Sequence, residues 1–175
     1  MENLIETTGL CKRYEDFSLE GVNLTVPAGT IVGLIGENGA GKTTTLKTLL
    51  GMVQPTQGSA RLLGRAPGDP EALAQVGVVF EDAYFCETMC AEQIDKVMAR
   101  VYSNWDSSLF RDYCRRFELS GKQPLKEFSR GMRMKLSLAT ALAHRPRLLI
   151  LDEATSGLDP VVRGEILDFF LDFIQ

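Results

Sequence analysis

The sequence predicts a mixed α/β fold organised around two buried strands, and three observations carry that expectation. The first is G-E-N-G-A-G-K-T, Gly36 to Thr43, set between the apolar run Thr30–Ile35 and the helical spacing of Leu46, Leu49 and Leu50. The second, about a hundred residues on, is L-L-I-L-D-E, Leu148 to Glu153. The third is the helical patterning of the chain between them, from about Ala91 to His144.

Taken in order, the first thirty residues read as antiparallel strands. Val22, Leu24 and Val26 alternate with Asn23 and Thr25, and Pro27-Ala28-Gly29 closes the run with a turn. Thr30–Ile35 is nearly continuous apolar sequence, the pattern of a strand buried on both faces. A helix follows from Thr43 to Met52. Further strands are expected at Ser59–Leu63, after the Pro55-Thr56-Gln57-Gly58 turn, and at Val76–Phe80.

Leu109, Phe110, Tyr113, Cys114 and Phe117 share one face of a helix that Asp106 can cap. Leu136, Ala139, Leu142 and Ala143 mark another, with Ser129 as its cap. Pro160 suits the first turn of a last helix, with Ile166, Phe169, Phe170 and Phe173 on its apolar face. Trp105 reads as packing among these helices.

Composition narrows the class. The 175 residues are 45% hydrophobic, enough for one domain with a real core. The net charge of -4 gives no field favouring nucleic acid. Arg111, Arg115, Arg116, Arg130, Arg133 and Lys135 read as solvated helix faces, partly serving phosphate contacts. No apolar run approaches the roughly 20 residues of a membrane span. The acidic start M-E-N-L-I-E is no signal peptide, so a cytoplasmic protein is expected. Cys11, Cys86, Cys90 and Cys114 form no disulfide or zinc pattern and are expected as reduced thiols.

The glycine loop fits phosphate binding. Without Cβ atoms, successive backbone N–H groups can turn inward around an anion. Lys42 adds a cation for the β- and γ-phosphates, and the Thr43 hydroxyl can ligate Mg²⁺. Asp152 suits the coordination sphere of that ion, and Glu153 suits a base that orients the attacking water. Ras-like GTPases have a shorter spacing between such motifs and an N-K-x-D motif, which this chain lacks.

With these motifs in place, the whole chain resembles the ATP-binding subunit of an ABC transporter. S-G-L-D at Ser156–Asp159 matches the family's D-loop. F-S-R-G-M at Phe128–Met132 sits where L-S-G-G-Q belongs, and Tyr14 in K-R-Y matches the adenine-stacking aromatic. The resemblance implies one ATP-binding domain over 1–175. It would combine a RecA-like P-loop NTPase core, an N-terminal antiparallel β subdomain and an inserted helical subdomain at about 84–146. It implies ATP contacts from Tyr14, Gly36, Glu37, Asn38, Gly39, Ala40, Gly41, Lys42, Thr43 and Thr44. A second copy, bound head-to-tail, would receive Ser129, Gly131 and Asp159 at its ATP.

Departures are part of the reading. Arg130 and Met132 replace the glycine and glutamine of the signature. Glu81, followed by Asp82, stands where a glutamine should sense Mg²⁺ and water. An ionised carboxylate accepts from water and ligates the metal but donates nothing, so Glu81 is both a catalytic and a metal candidate. A solvated acidic loop is the alternative. Tyr84, Phe85 and Met89 fall where family members receive their membrane subunits, or they pack locally. The family's switch histidine should follow the helix that starts at Pro160. The sequence therefore resembles a C-terminally truncated subunit, expected to be impaired as an ATPase.

The function implied is ATP hydrolysis that powers transport, with ATP and Mg²⁺ as cofactors, at the cytoplasmic face of a membrane and against an integral membrane subunit. Two other classes stay open: a soluble ABC-type ATPase acting on ribosomes or DNA, and a nucleotide-binding regulatory module without turnover.

Overall fold

The computed structural model describes residues 2–80, 85–153, 158 and 160–173. They form two compact units, Met1–Leu73 and Ala74–Phe173.

In the first unit, β1 (Asn3–Arg13) is the central strand of a three-stranded antiparallel sheet. Its neighbours are β2 (Ser18–Pro27) and β3 (Gln57–Leu62). The alternation read in β2 is borne out: Val26 is buried while Asn23 and Thr25 face solvent. Thr7, itself buried, ties β1 to β2. Its hydroxyl donates to the Val22 carbonyl at 2.9 Å and accepts from the Leu24 amide at 2.8 Å. α1 (Lys42–Leu49) buries Leu46 and Leu49. The loop Met52–Thr56 leads to β3, and α2 (Pro70–Leu73) closes the unit. The Asp69 carboxylate caps α2 by accepting from the amides of Glu71 and Ala72, both at 3.0 Å.

One expectation fails in this unit. Thr30–Ile35 is not a strand buried on both faces. It runs without regular secondary structure, and Ile31 and Ile35 are 60% and 100% exposed. A strand needs ladder partners for its N–H and C=O groups, and no described residue pairs with this segment. The apolar pattern records what the segment is suited to lie against, not a neighbour present among the described residues.

In the second unit, β4 (Val76–Val79) and β5 (Leu148–Leu151) pair in parallel, in register from Val76 with Leu148 to Val79 with Leu151. The long connection that a parallel pair demands is helical. It holds α3 (Ala91–Val101), α4 (Ser107–Arg116) and α5 (Arg130–Leu142), and α6 (Pro160–Phe173) follows β5. Both expected caps form. Asp106 accepts from the Leu109 amide at 2.9 Å, and Ser129 accepts from the Met132 amide at 3.1 Å. Pro160 opens α6 as its sequence position suggests.

The core of this unit gathers Ile94, Phe110, Leu136, Leu138 and Ile166, each at most 1% exposed. The expected faces are buried through Phe110 and Cys114 on α4, Phe117 just past its end, and Ile166 on α6. The Phe169 and Phe173 side chains lie outside the described residues. Trp105 packs at this core, 5.4 Å from the Phe110 ring between centroids. His144 stacks on Tyr102 at 4.3 Å and makes a 3.3 Å contact from Nε2 to the Val76 carbonyl. Gly77 is required where α5 meets β4. A Cβ there would stand 2.5 Å from the Ala141 carbonyl oxygen.

Candidate functional site

The phosphate loop in the first unit is shaped by its glycines. Gly39 and Gly41 have φ of 84° and 94°, the left-handed region where a side chain is strained. Gly41 is also crowded: a Cβ would lie 2.6 Å from Leu19 Cδ1 and 3.1 Å from Phe17 Cζ. A Cβ on Gly36 would meet Ala40 Cβ at 3.1 Å. Gly41 caps α1 without any side-chain hydrogen bond, and the first turn of α1 carries no acidic residue. The positive end of that helix is therefore left for an anion.

Lys42 turns back over this loop. Its ammonium donates to the carbonyls of Gly36 at 2.8 Å and Glu37 at 3.0 Å. These bonds hold the cation against the loop backbone. The Ala40 amide donates to the Glu37 carbonyl at 3.1 Å, so Glu37, Asn38 and Gly39 form a tight turn. Thr43 and Thr44 lie in the first turn of α1. The Thr45 hydroxyl donates to the Gly41 carbonyl at 3.0 Å and fixes the helix start.

Tyr14 is 47% exposed. Its ring lies 6.2 Å from that of Phe17, and the Lys12 ammonium sits 5.2 Å from its centroid. Sequence reading missed Lys12 and Phe17. Phe17 touches both the Tyr14 ring and the space beside Gly41, so it links the aromatic platform to the glycine loop. The signal was the spacing K-x-Y-x-x-F, too short a pattern to separate from ordinary strand residues.

The second unit carries the acidic pair. Asp152 follows β5, is 8% exposed, and its amide donates to the Val79 carbonyl at 2.9 Å. Glu153 is exposed and holds φ of 53°, an unusual backbone for a non-glycine residue. It lies two residues past the end of β5, with its carboxylate open to solvent. Glu81, Asp82, Tyr84, Ser156 and Asp159 lie outside the described residues. Phe85 and Met89 are half-buried and pack on the hydrophobic core, as local packing predicts.

Ser129 starts α5, and its hydroxyl oxygen is engaged as the cap. Gly131 has ordinary room: a Cβ would meet Val162 methyls at 3.5 and 3.6 Å. No described residue demands glycine at that position. Met132, in place of the signature glutamine, packs against the core. Arg133 is drawn off to Glu87 at 3.2 Å and to the Phe128 carbonyl at 3.4 Å.

Fold and loop together are those of a P-loop nucleotide-binding domain of the kind built on a RecA-like core. A family model described as ABC transporter matches residues 19–156, and the chain belongs to that family. Among curated relatives it is 36% identical over 169 residues to the bacitracin transport ATP-binding protein BcrA of Bacillus licheniformis, covering 92% of this chain and 54% of that protein. It is 35% identical over 157 residues to the lantibiotic transport ATP-binding protein SrtF of Streptococcus pyogenes, covering 89% of this chain and 68% of that one. The chain spans about half the length of most of the curated relatives it matches. A solved structure of an ATP binding subunit of an ABC transporter superposes with a TM-score of 0.87 at 28% identity, covering 98% of this chain and 75% of that one. The fold is thus α/β, a RecA-like P-loop core with an N-terminal antiparallel sheet and an inserted set of helices. No described helix is long and apolar enough to cross a membrane.

Proposed function

We propose that this chain is the ATP-binding and ATP-hydrolysing part of a transporter subunit. It works as a head-to-tail pair at the cytoplasmic face of a membrane, coupled to an integral membrane subunit. The whole of 1–175 is read as one ATP-binding domain. The observation that carries this is the Lys42 clasp: a complete phosphate loop whose cation already rests on two oxygens of the loop itself. A phosphate oxygen can take the place of those carbonyls without a change in the glycine backbone.

Lys42 and the loop amides from Gly36 to Thr44 bind and orient the triphosphate. Tyr14, with Phe17 beside it, offers a flat face for adenine. Thr43 and Asp152, with Glu81 a further candidate, would hold magnesium. That ion neutralises charge on the β- and γ-phosphate oxygens when bound. The turned-out Glu153 orients water and accepts its proton. Ser129, Gly131 and Asp159 serve the partner copy's nucleotide. The ordinary room at Gly131 supports a role directed outward, because no contact among the described residues requires a glycine there.

Equilibrium binding of ATP with magnesium, to the wild-type chain and to Glu153→Gln, tests this reading. Glu153→Gln keeps the backbone and size, so ATP should bind unchanged while hydrolysis falls sharply in the assembled transporter. A folded chain that binds no ATP, or unchanged turnover in Glu153→Gln, overturns it.

A further inference from the structure

A pocket of about 500 Å³ opens between α3 and α4, and it shares no residue with the ATP-site candidates. Its volume is that of a small-molecule site. Ala91, Phe110, Cys114 and Leu119 give it an apolar floor. Burial pushes the Cys114 thiol up to about 11, so this sulfur stays protonated and acts as apolar surface at neutral pH.

The charges around the floor are sorted by element. Glu92 and Asp95 come from α3, one turn apart on the same face. Arg111 and Arg115 come from α4. Lys96 is the one exception, a cation on the α3 side. Asp95 is 8% exposed, and only part of its bonding capacity is used well. One carboxylate oxygen accepts from the Trp105 indole at 2.8 Å. The other has Arg111 at 3.4 Å, reached by a side chain that is itself 62% exposed. Arg115 is paired with Asp112, and both side chains are more than half exposed. Such surface pairs contribute little and exchange readily.

We propose that this pocket binds a small zwitterion with an apolar side chain, of the α-amino acid class. The ligand ammonium meets Asp95 and Glu92, its carboxylate meets Arg111 and Arg115, and its side chain covers the floor. Each simpler ligand leaves something uncompensated. A lone cation faces the two arginines, a lone anion faces the two carboxylates, and an apolar molecule would further desolvate Asp95 without pairing it.

Trp105 reports on the site directly, since it is the sole tryptophan and is bonded to Asp95. L-leucine is titrated into the 175-residue chain while Trp105 emission is followed. The expected result is a saturable change. It should weaken about tenfold or more for N-acetyl-L-leucine, which lacks the amine, and for L-leucinamide, which lacks the carboxylate. Glycine, without the apolar side chain, should bind as weakly. Glu92→Gln and Arg111→Gln, both on exposed residues, should each weaken L-leucine by a similar factor with unchanged circular dichroism. No saturable change up to about 10 mM, equal binding of the capped forms, or unaltered affinity in both variants overturns the proposal.

Discussion

Replacing Lys42 by alanine has a cost that follows from its two loop bonds. In the free chain the ammonium donates to the Gly36 and Glu37 carbonyls at 2.8 and 3.0 Å. On the proposed reading, ATP binding exchanges those bonds for contacts to phosphate oxygens, so the two sets oppose each other in the binding free energy. A charge-assisted contact to phosphate is worth about 3 kcal/mol at the upper end of the usual range. The two carbonyl bonds given up lie in an exposed loop and offset about 1–1.5 kcal/mol together. The net loss in Lys42→Ala is therefore about 1.5–2 kcal/mol, or roughly 10- to 30-fold in the dissociation constant for ATP. Titration calorimetry with ATP and magnesium measures it. Hydrogen exchange of the free variant supplies an independent check, because the loop amides lose their clasp and should exchange faster. A loss below about threefold refutes the phosphate contact, whereas one of about 150-fold or more, the full 3 kcal/mol, refutes the offset.

Three further outcomes are expected. His144 is held below its ordinary value of 6.5 mainly by burial, against the opposing pull of the Val76 and Thr140 carbonyls. The folded chain resists the proton that the unfolded chain accepts, so this contribution is whole above about pH 6.5 and shrinks as pH falls below it. Urea midpoints between neutral and mildly acidic pH should show that decline, and His144→Phe should flatten it. Gly58→Ala should destabilise the first unit by about 2–4 kcal/mol, since φ is 80° and a Cβ would stand 2.2 Å from the Gly9 carbonyl oxygen; a thermal midpoint equal to wild type would count against the close approach of β1 and β3. Ser129→Ala should cost about 1 kcal/mol through loss of the α5 cap, read from denaturant unfolding, and no change would show that the Met132 amide finds another acceptor.

Much of the helical part is legible in the sequence because its signals are local. Asp106, Ser129 and Pro160 act within a few residues of themselves, and each does in the structure what its position suggests. The glycine loop is legible for the same reason, since left-handed backbone at Gly39 and Gly41 is a property of the residue. Thr30–Ile35 misleads because burial is a relation between segments. An apolar run says what a strand can pack against, while ladder bonds depend on a partner elsewhere. The platform around Tyr14 was half legible: the tyrosine carries a family pattern, but Lys12 and Phe17 join it only through the turn between β1 and β2. The left-handed backbone at Glu153 has no sequence signal, because glutamate seldom adopts it.

The glycine at the foot of α5 has a mechanical side. Gly77 lets the Ala141 carbonyl rest on β4 with no side chain between them, so one end of the helix is seated on the sheet like a pivot pin. Ser129 begins the same helix, about 18 Å away along its axis. Over that arm, a tilt of about 5° at the seat displaces the serine by roughly 1.5 Å, the difference between a hydrogen bond and none. Alanine at position 77 would pry the helix off its bearing. The first casualty would be the aim of Ser129, the residue proposed to face the partner copy's nucleotide.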